Sequence, residues 1–205
     1  LHALNPALVF CSITPYGRTG PYRNYRATNM TVDAMGGRMV EHGEPGGPPV
    51  TGPGKQVYDL AGVYAALSIM IAIVNRPAVG GQAIDISAFD VLASHGNSMY
   101  RYALAGVVSS RSGHQSAIPP SGTWHCADGD LEMQAWTPNH WEGFRKLMGE
   151  PEELKDPQWS HAFYRGQHRD QLEAMVSRFM LARSKQDVAA QAQDCHVPAG
   201  PVNTL

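Results

Sequence analysis

The chain has 205 residues and a formal net charge of −2, with 43% hydrophobic and 17% charged residues. That balance is ordinary for a globular protein and long enough to bury a core as one or two domains. Its 16 Lys and Arg are scattered, with no basic block and no interleaving of basic and aromatic residues, so nothing points to a nucleic-acid partner.

Cys11, Cys126 and Cys195 have no CxxC spacing, so neither a disulfide framework nor a thiolate metal site is expected, and a reducing, cytoplasmic setting suits them. The opening LHALNPALVFCSI carries no basic region or cleavage site of a secretory leader.

Ala7 to Ile13 reads as a buried parallel strand after an Asn5-Pro6 turn, ending at Thr14. Ligands in open α/β sheets gather at such strand ends. The following loop, Pro15 to Tyr22, has two glycines and two prolines and so a rigid path. It lacks the Lys-Ser/Thr ending of a P-loop, so a nucleoside triphosphate site is not expected. Arg18, Arg23 and Arg26 put three guanidiniums close together, suited to phosphate or carboxylate, although an ordinary surface connection has the same composition. Asn29 to Gly36 predicts a helix with Asn29 as its cap and Ala34-Met35 on its inner side. Glu41 to Gly54, dense in glycine and proline, predicts an ordered loop.

Asp59 is expected to open a helix running to about Asn75, apolar on all sides from Val63 to Val74 and therefore read as buried. The run Leu60 to Val74 is shorter than the roughly 17 residues a bilayer requires, so no membrane partner is expected. Asp59 has two readings on the residues alone. It caps the helix, or it stands ionised at the positive end of the helix dipole, where a carboxylate in a dry pocket can attack an acyl group.

Arg76 to Gly81 predicts a turn, Gln82 to Ser87 a strand, and Ser87 or Ala88 to Leu104 a helix with Phe89, Leu92, Met99 and Tyr102 on its apolar side. That order is of α/β type. Asp85 and Asp90 read as structural or solvated. Ala105 to Gly122 is a linker region, and its Arg111 to Gln115 stretch is placed to close over a substrate. A second domain starts near Pro119 with a hairpin turning at Asp128-Gly129. Helices follow over Pro138 to Met148, Gln167 to Ala182 and Ser184 to Asp194, with Leu172, Met175, Val176, Phe179 and Met180 as core. Trp124, Trp136, Trp141 and Trp159 are expected to anchor this domain. His114, His125, His140 and His161 fit no ligand spacing, so no metal is expected. Val197 to Val202 is too rich in proline for a helix and reads as an ordered crossover.

The strings TPYGRTGPYRNYRATNMTVDAMGG, GEPGGPPV, YDLAGVYAAL, NRPAVGGQAIDISAFD, CADGDLEMQAW and VPAGPVNTL, in that order, resemble the class III CoA-transferase family, which includes formyl-CoA transferases and carnitine dehydratases. The resemblance covers essentially the whole chain. It implies an α/β fold: an internal fragment of a doubly wound large domain (residues 1–110), a linker (111–118), a small α+β domain (119–196) and a return crossover (197–205). It also gives the first strand its missing neighbours, in an N-terminal half preceding Leu1.

The resemblance further implies transfer of CoA from an acyl-CoA to a carboxylic acid, with Asp59 as covalent nucleophile and CoA as part of the substrate rather than a tightly bound cofactor. Gly62, Thr28, Asn29, Gly113, His114 and Gln115 become supporting or oxyanion candidates. Tyr16, Gly17, Arg18 and Arg26 become contacts for CoA, Arg26 falling where one relative carries a phosphate-contacting lysine. An interlocked homodimer is implied as well. Two alternatives remain. The 2-methylacyl-CoA racemases resemble this chain but carry His-Asp where Thr28-Asn29 stands here, and Thr28 has no pKa suited to proton transfer. Asn29, where many transferases have an acidic residue, leaves open a non-catalytic subunit.

Overall fold

Two apolar segments bounded by turn residues form the sheet of the first half of the chain. In a computed structural model, which describes residues 1–108, 110, 111, 113 and 118–204, β1 (Phe10–Thr14) and β2 (Ala83–Ser87) pair in parallel, with Phe10 opposite Ala83 and Thr14 opposite Ser87. The strand starts at Phe10 rather than Ala7 because Asn5 holds a turn, its side chain accepting from Ala7 N and its carbonyl from Leu8 N. Parallel strands need a crossover, and here it comprises α1 (Asn29–Met35), a short 3₁₀ turn (Arg38–Glu41) and α2 (Gln56–Val79). Two compact units result, Leu1–Gly113 and His114–Leu205, the division falling within residues 111–118.

Helix α2 differs from expectation at both ends and on its surface. It begins three residues before Asp59 and continues through Pro77 to Val79, so the apolar run sits in a 24-residue helix that is long and apolar enough to cross a bilayer by length and composition. Its buried residues are Val57, Ala61, Ala65 and Ala72, a stripe of mostly small side chains facing the sheet and its neighbouring helices. Leu67, Met70 and Val74 lie outside, Val74 at 77% exposure. The expectation of a helix buried on every side is thus corrected: apolar residues all round allow burial of any face, and within this unit one face is covered.

The expected helix after β2 is two helices, α3 (Ala88–His95) and α4 (Asn97–Ala105), because Gly96 takes an extended conformation (ψ 116°) between them. Leu92 is buried, whereas Met99 and Tyr102 are exposed. In α1 the inner residues are Val32 and Asp33, not Ala34 and Met35.

The second unit is a three-stranded antiparallel sheet, β3 (Gly122–Cys126), β4 (Gly129–Met133) and β5 (Ala199–Pro201), with β4 central. Cys126 pairs with Gly129, so the hairpin turns at Ala127-Asp128, one residue earlier than expected. Asp128 Oδ1 accepts the Lys185 N–H at 2.7 Å instead of serving the turn alone. The segment read as a crossover forms the edge strand β5, where prolines that cannot donate do little harm. Helices α5 (Pro138–Leu147), α6 (Ala162–Gln167), α7 (Arg169–Leu181) and α8 (Lys185–Asp194) complete the unit. Thr137 and Ser184 cap α5 and α8 through their hydroxyl oxygens.

Leu172, Val176 and Met180 pack with Leu131, Met133, Trp141 and Phe144 in the core. Trp124, Trp141 and Trp159 are buried, but Trp136 is 56% exposed. Arg165 is a core residue that composition conceals. At 1% exposure it donates to the carbonyls of Pro119, Trp159 and Ser160 and lies over the Trp141 ring. Burial pushes its pKa down.

Candidate functional site

The site forms where α1 meets the start of α2. Thr28, not Asn29, caps α1: its hydroxyl accepts from Thr31 N while Thr31 Oγ1 accepts from Thr28 N, a reciprocal capping box. Asn29 is thereby released to reach across, and its Oδ1 accepts the Val57 N–H at 3.1 Å. Val57 is fully buried and lies in the first turn of α2, whose N–H groups have no partner within the helix. One carboxamide therefore fixes the end of the helix that carries Asp59.

Asp59 is the fourth residue of α2, so it is not the cap. Lys55 holds that position without a side-chain bond. The Asp59 carboxylate is exposed and has no hydrogen-bond partner among the described residues. It lines an open cleft of about 520 Å³ together with Arg38, Gln56, Leu60, Val63, Leu92 and His95. A carboxylate, a guanidinium, an amide and an imidazole thus share a cavity with three apolar side chains. Asp59 stands in the first turn of α2, at the positive end of its dipole.

Behind the cleft lies a buried ion pair. Asp33 has no exposed surface, and its Oδ1 accepts from Arg38 Nε at 2.7 Å while its Oδ2 accepts from Thr51 Oγ1 at 2.8 Å and Gly52 N at 3.3 Å. Burial opposes ionisation of Asp33, but hydrogen bonds from Arg38, Thr51 and the Gly52 N–H, with the Arg38 charge, outweigh it and hold the carboxyl below its ordinary range. Arg38 Nη1 continues to Gln56 Oε1 at 2.9 Å. On the far side, His95 Nδ1 lies 3.2 Å from the Val91 carbonyl and 3.5 Å from the Tyr64 hydroxyl.

The other candidates occupy different places. Gly62 lies in the second turn of α2, so its N–H belongs to the helix ladder and is not a free oxyanion donor, a correction that follows from the earlier helix start. Thr28 and Asn29 serve the helix ends and do not line the cleft. Tyr16 and Gly17 are buried, the Tyr16 hydroxyl donating to Met35 Sδ, and Gly17 has a φ of 79° that favours glycine. Arg18, Arg23 and Arg26 are exposed, and the Arg18 N–H donates to Asp85 Oδ2 at 2.7 Å, giving Asp85 the structural part expected of it. Gly113 packs against Glu44, whose carboxylate would stand 2.5 Å from any Cβ added there. His114 and Gln115 lie outside the described residues. Among the described residues no group of His, Cys, Asp and Glu is arranged to hold a metal.

Sequence reasoning missed Asp33, Arg38 and His95. Asp33 and Arg38 carry no recognisable spacing, since they join a helix to a 3₁₀ turn, and His95 is a lone histidine at a helix end.

The family model described as CoA-transferase family III matches residues 1–205. Among relatives, succinyl-CoA–D-citramalate CoA-transferase of Chloroflexus aurantiacus is 32% identical over all of this chain and 52% of its own length. Succinate–glutarate CoA-transferase of Agrobacterium fabrum is 30% identical over all of this chain and 52% of its own. The chain therefore spans about half the length of the curated relatives it matches. A crystal structure of a CAIB/BAIF family protein from Brucella suis superposes with a TM-score of 0.79 at 29% identity, covering 99% of this chain and 55% of that one.

Proposed function

Because this chain belongs to CoA-transferase family III, we propose that it carries the nucleophile of an enzyme that moves CoA from an acyl-CoA thioester to a free carboxylic acid, with Asp59 as the reacting carboxylate. One observation carries this reading: the Asp59 carboxylate, without a partner among the described residues, stands exposed in a cleft at the first turn of a helix.

The exchange proceeds in balanced steps. An Asp59 oxygen attacks the thioester carbonyl carbon, and the CoA thiolate leaves to give a mixed anhydride. The thiolate then attacks the aspartyl carbonyl, releasing the donor acid and forming an aspartyl-CoA thioester. The acceptor carboxylate attacks that thioester, expelling the thiolate, which finally attacks the acceptor's acyl carbon and regenerates Asp59. Each attack puts negative charge on a carbonyl oxygen, so preorganised donors contribute most. Gln56 supplies one: its Oε1 is taken by Arg38, leaving its N–H₂ for the oxyanion. Water must be excluded from both intermediates, a task suited to Gly113, His114 and Gln115.

The relatives named above place CoA on carboxylic acids, which supports the acceptor class. Arg18 and Arg26 are exposed and suited to CoA phosphates, with Tyr16 and Gly17 shaping their loop. CoA enters as substrate, with no tightly bound cofactor, in a cytoplasmic, interlocked homodimer. The exposed apolar flank of α2 supports further polypeptide covering it, as in a doubly wound large domain, rather than lipid.

His95 favours a second reading. It brings to the Asp59 cleft the imidazole that Thr28 does not supply, so Asp59 and His95 could exchange the 2-proton of a branched acyl-CoA as a racemase does. Two measurements on the complete protein separate these. Under the transferase reading, Asp59→Asn abolishes CoA transfer and the unmodified enzyme exchanges no deuterium at C2 of 2-methylacyl-CoA. Solvent exchange without transfer would establish the racemase instead.

A further inference from the structure

Asp33 and Arg38 take no covalent part in the exchange of CoA, yet they reach the cleft through Gln56. We propose that they are positioning residues, which turn the Gln56 carboxamide so that its N–H₂ end, not its oxygen, meets the carbonyl oxygen on which charge develops. This rests on Asp59 as the nucleophile and on Gln56 as the oxyanion donor.

A primary carboxamide has two ends of nearly the same shape and opposite sense: the oxygen accepts and the N–H₂ donates. Its terminal torsion is broad and roughly twofold, so an exposed glutamine left to itself presents either end. Only the donating end stabilises an oxyanion, and the accepting end repels it. Gln56 is exposed and lines the cleft with Asp59, three residues further along α2. That spacing sets their Cβ atoms about 5–6 Å apart. Which end of Gln56 faces the cleft is therefore decided by what lies behind it.

Arg38 makes that choice. A guanidinium has only donors, so it takes the carboxamide by its oxygen, with Nη1 2.9 Å from Gln56 Oε1. The Gln56 amide nitrogen has no hydrogen-bond partner among the described residues. Arg38 is held in turn from the interior. Its Nε donates to Asp33 Oδ1 at 2.7 Å, and Asp33, with no exposed surface, keeps its other oxygen on Thr51 Oγ1 and the Gly52 N–H. The loop closes over the same bond: a Cβ at Gly52 would lie 2.8 Å from Arg38 Nη2 and 2.9 Å from Gln56 Oε1. Only a residue without a side chain leaves Arg38 and Gln56 room to meet there.

The test follows how fast acetyl-CoA loads Asp59 in the complete enzyme, read as Asp59 hydroxamate after quenching with hydroxylamine at timed intervals. Gln56→Glu keeps the acceptor that Arg38 bonds and removes the donor, and the loading rate at saturating acetyl-CoA should fall about a hundredfold to a thousandfold. Asp33→Asn with Arg38→Met strands no charge and releases the carboxamide. Gly52→Ala keeps both charges and crowds their link to Gln56. Each should slow loading about tenfold to a hundredfold, with the half-saturating acetyl-CoA concentration little changed. Added to Gln56→Glu, neither should slow loading further, because residues acting through one group are not additive; a purely structural role would repeat its loss in that background. Unchanged loading in Gln56→Glu or in both of the other variants, or an undiminished further loss in the Gln56→Glu background, overturns the proposal while leaving Asp59 in place. No hydroxamate at Asp59 in the unmodified enzyme defeats both.

Discussion

Replacing Asn29 with Ala removes the acceptor of the Val57 N–H without touching a cleft-lining residue. Val57 is fully buried, and an unsatisfied buried donor costs about 1–3 kcal/mol. The same change is a cap deletion, worth about 0.5–2 kcal/mol. Both figures describe one loss, so about 1–2 kcal/mol is expected, or about 2–8 °C in the melting transition of the first unit. Asn29→Asp keeps an acceptor oxygen and places a negative charge at the helix N-terminus, favourable by about 0.3–1 kcal/mol, so its melting should match or exceed that of the unmodified chain. Far-UV circular dichroism melts measure the totals, and hydrogen exchange at the Val57 amide localises the effect. An Asn29→Ala chain melting within about 1 °C of the original, with unchanged protection at Val57, would refute this account of how the Asp59 helix is held.

Acid should weaken the Asp33–Arg38 pair before the rest of the first unit. The folded-state pKa of Asp33 lies below its unfolded value of about 3.9, so its contribution is present above that pH and lost as pH falls through the folded pKa. Urea midpoints taken at decreasing pH should show a steeper acid decline in the original chain than in Asp33→Asn/Arg38→Gln, and parallel profiles would contradict the assignment. In the second unit, Arg165→Met removes the donor to three carbonyls and should cost on the order of 3 kcal/mol. Calorimetry should show it in the transition of that unit alone.

Local rules recovered what local physics determines. The strands read over Ala7 to Ile13 and Gln82 to Ser87, found at Phe10–Thr14 and Ala83–Ser87, and the helices read from Pro138 and Ser184 were legible because each has its apolar run and boundary residues adjacent in sequence. The place of Asp59 in the first turn of a helix was legible through its motif. Its surroundings were not: Asp33 meets Thr51 and Gly52, and Arg38 meets Gln56, across 18 or 19 residues, distances at which no helical or strand spacing rule operates. Thr28 and Asn29 show a finer failure. Either can cap a helix, and the choice rested on Asn29 being needed by a different helix. The β5 edge strand escaped because its prolines argue against any ladder, and only the position of β4 makes an edge available.

The most direct measurement is peptide mass mapping of the complete enzyme after acyl-CoA and then hydroxylamine. The mechanism predicts a hydroxamate on the peptide containing Gln56-Val57-Tyr58-Asp59, located at Asp59 by fragmentation and absent when acyl-CoA is omitted. A hydroxamate found solely on another residue, in an enzyme that is turning over, would contradict it.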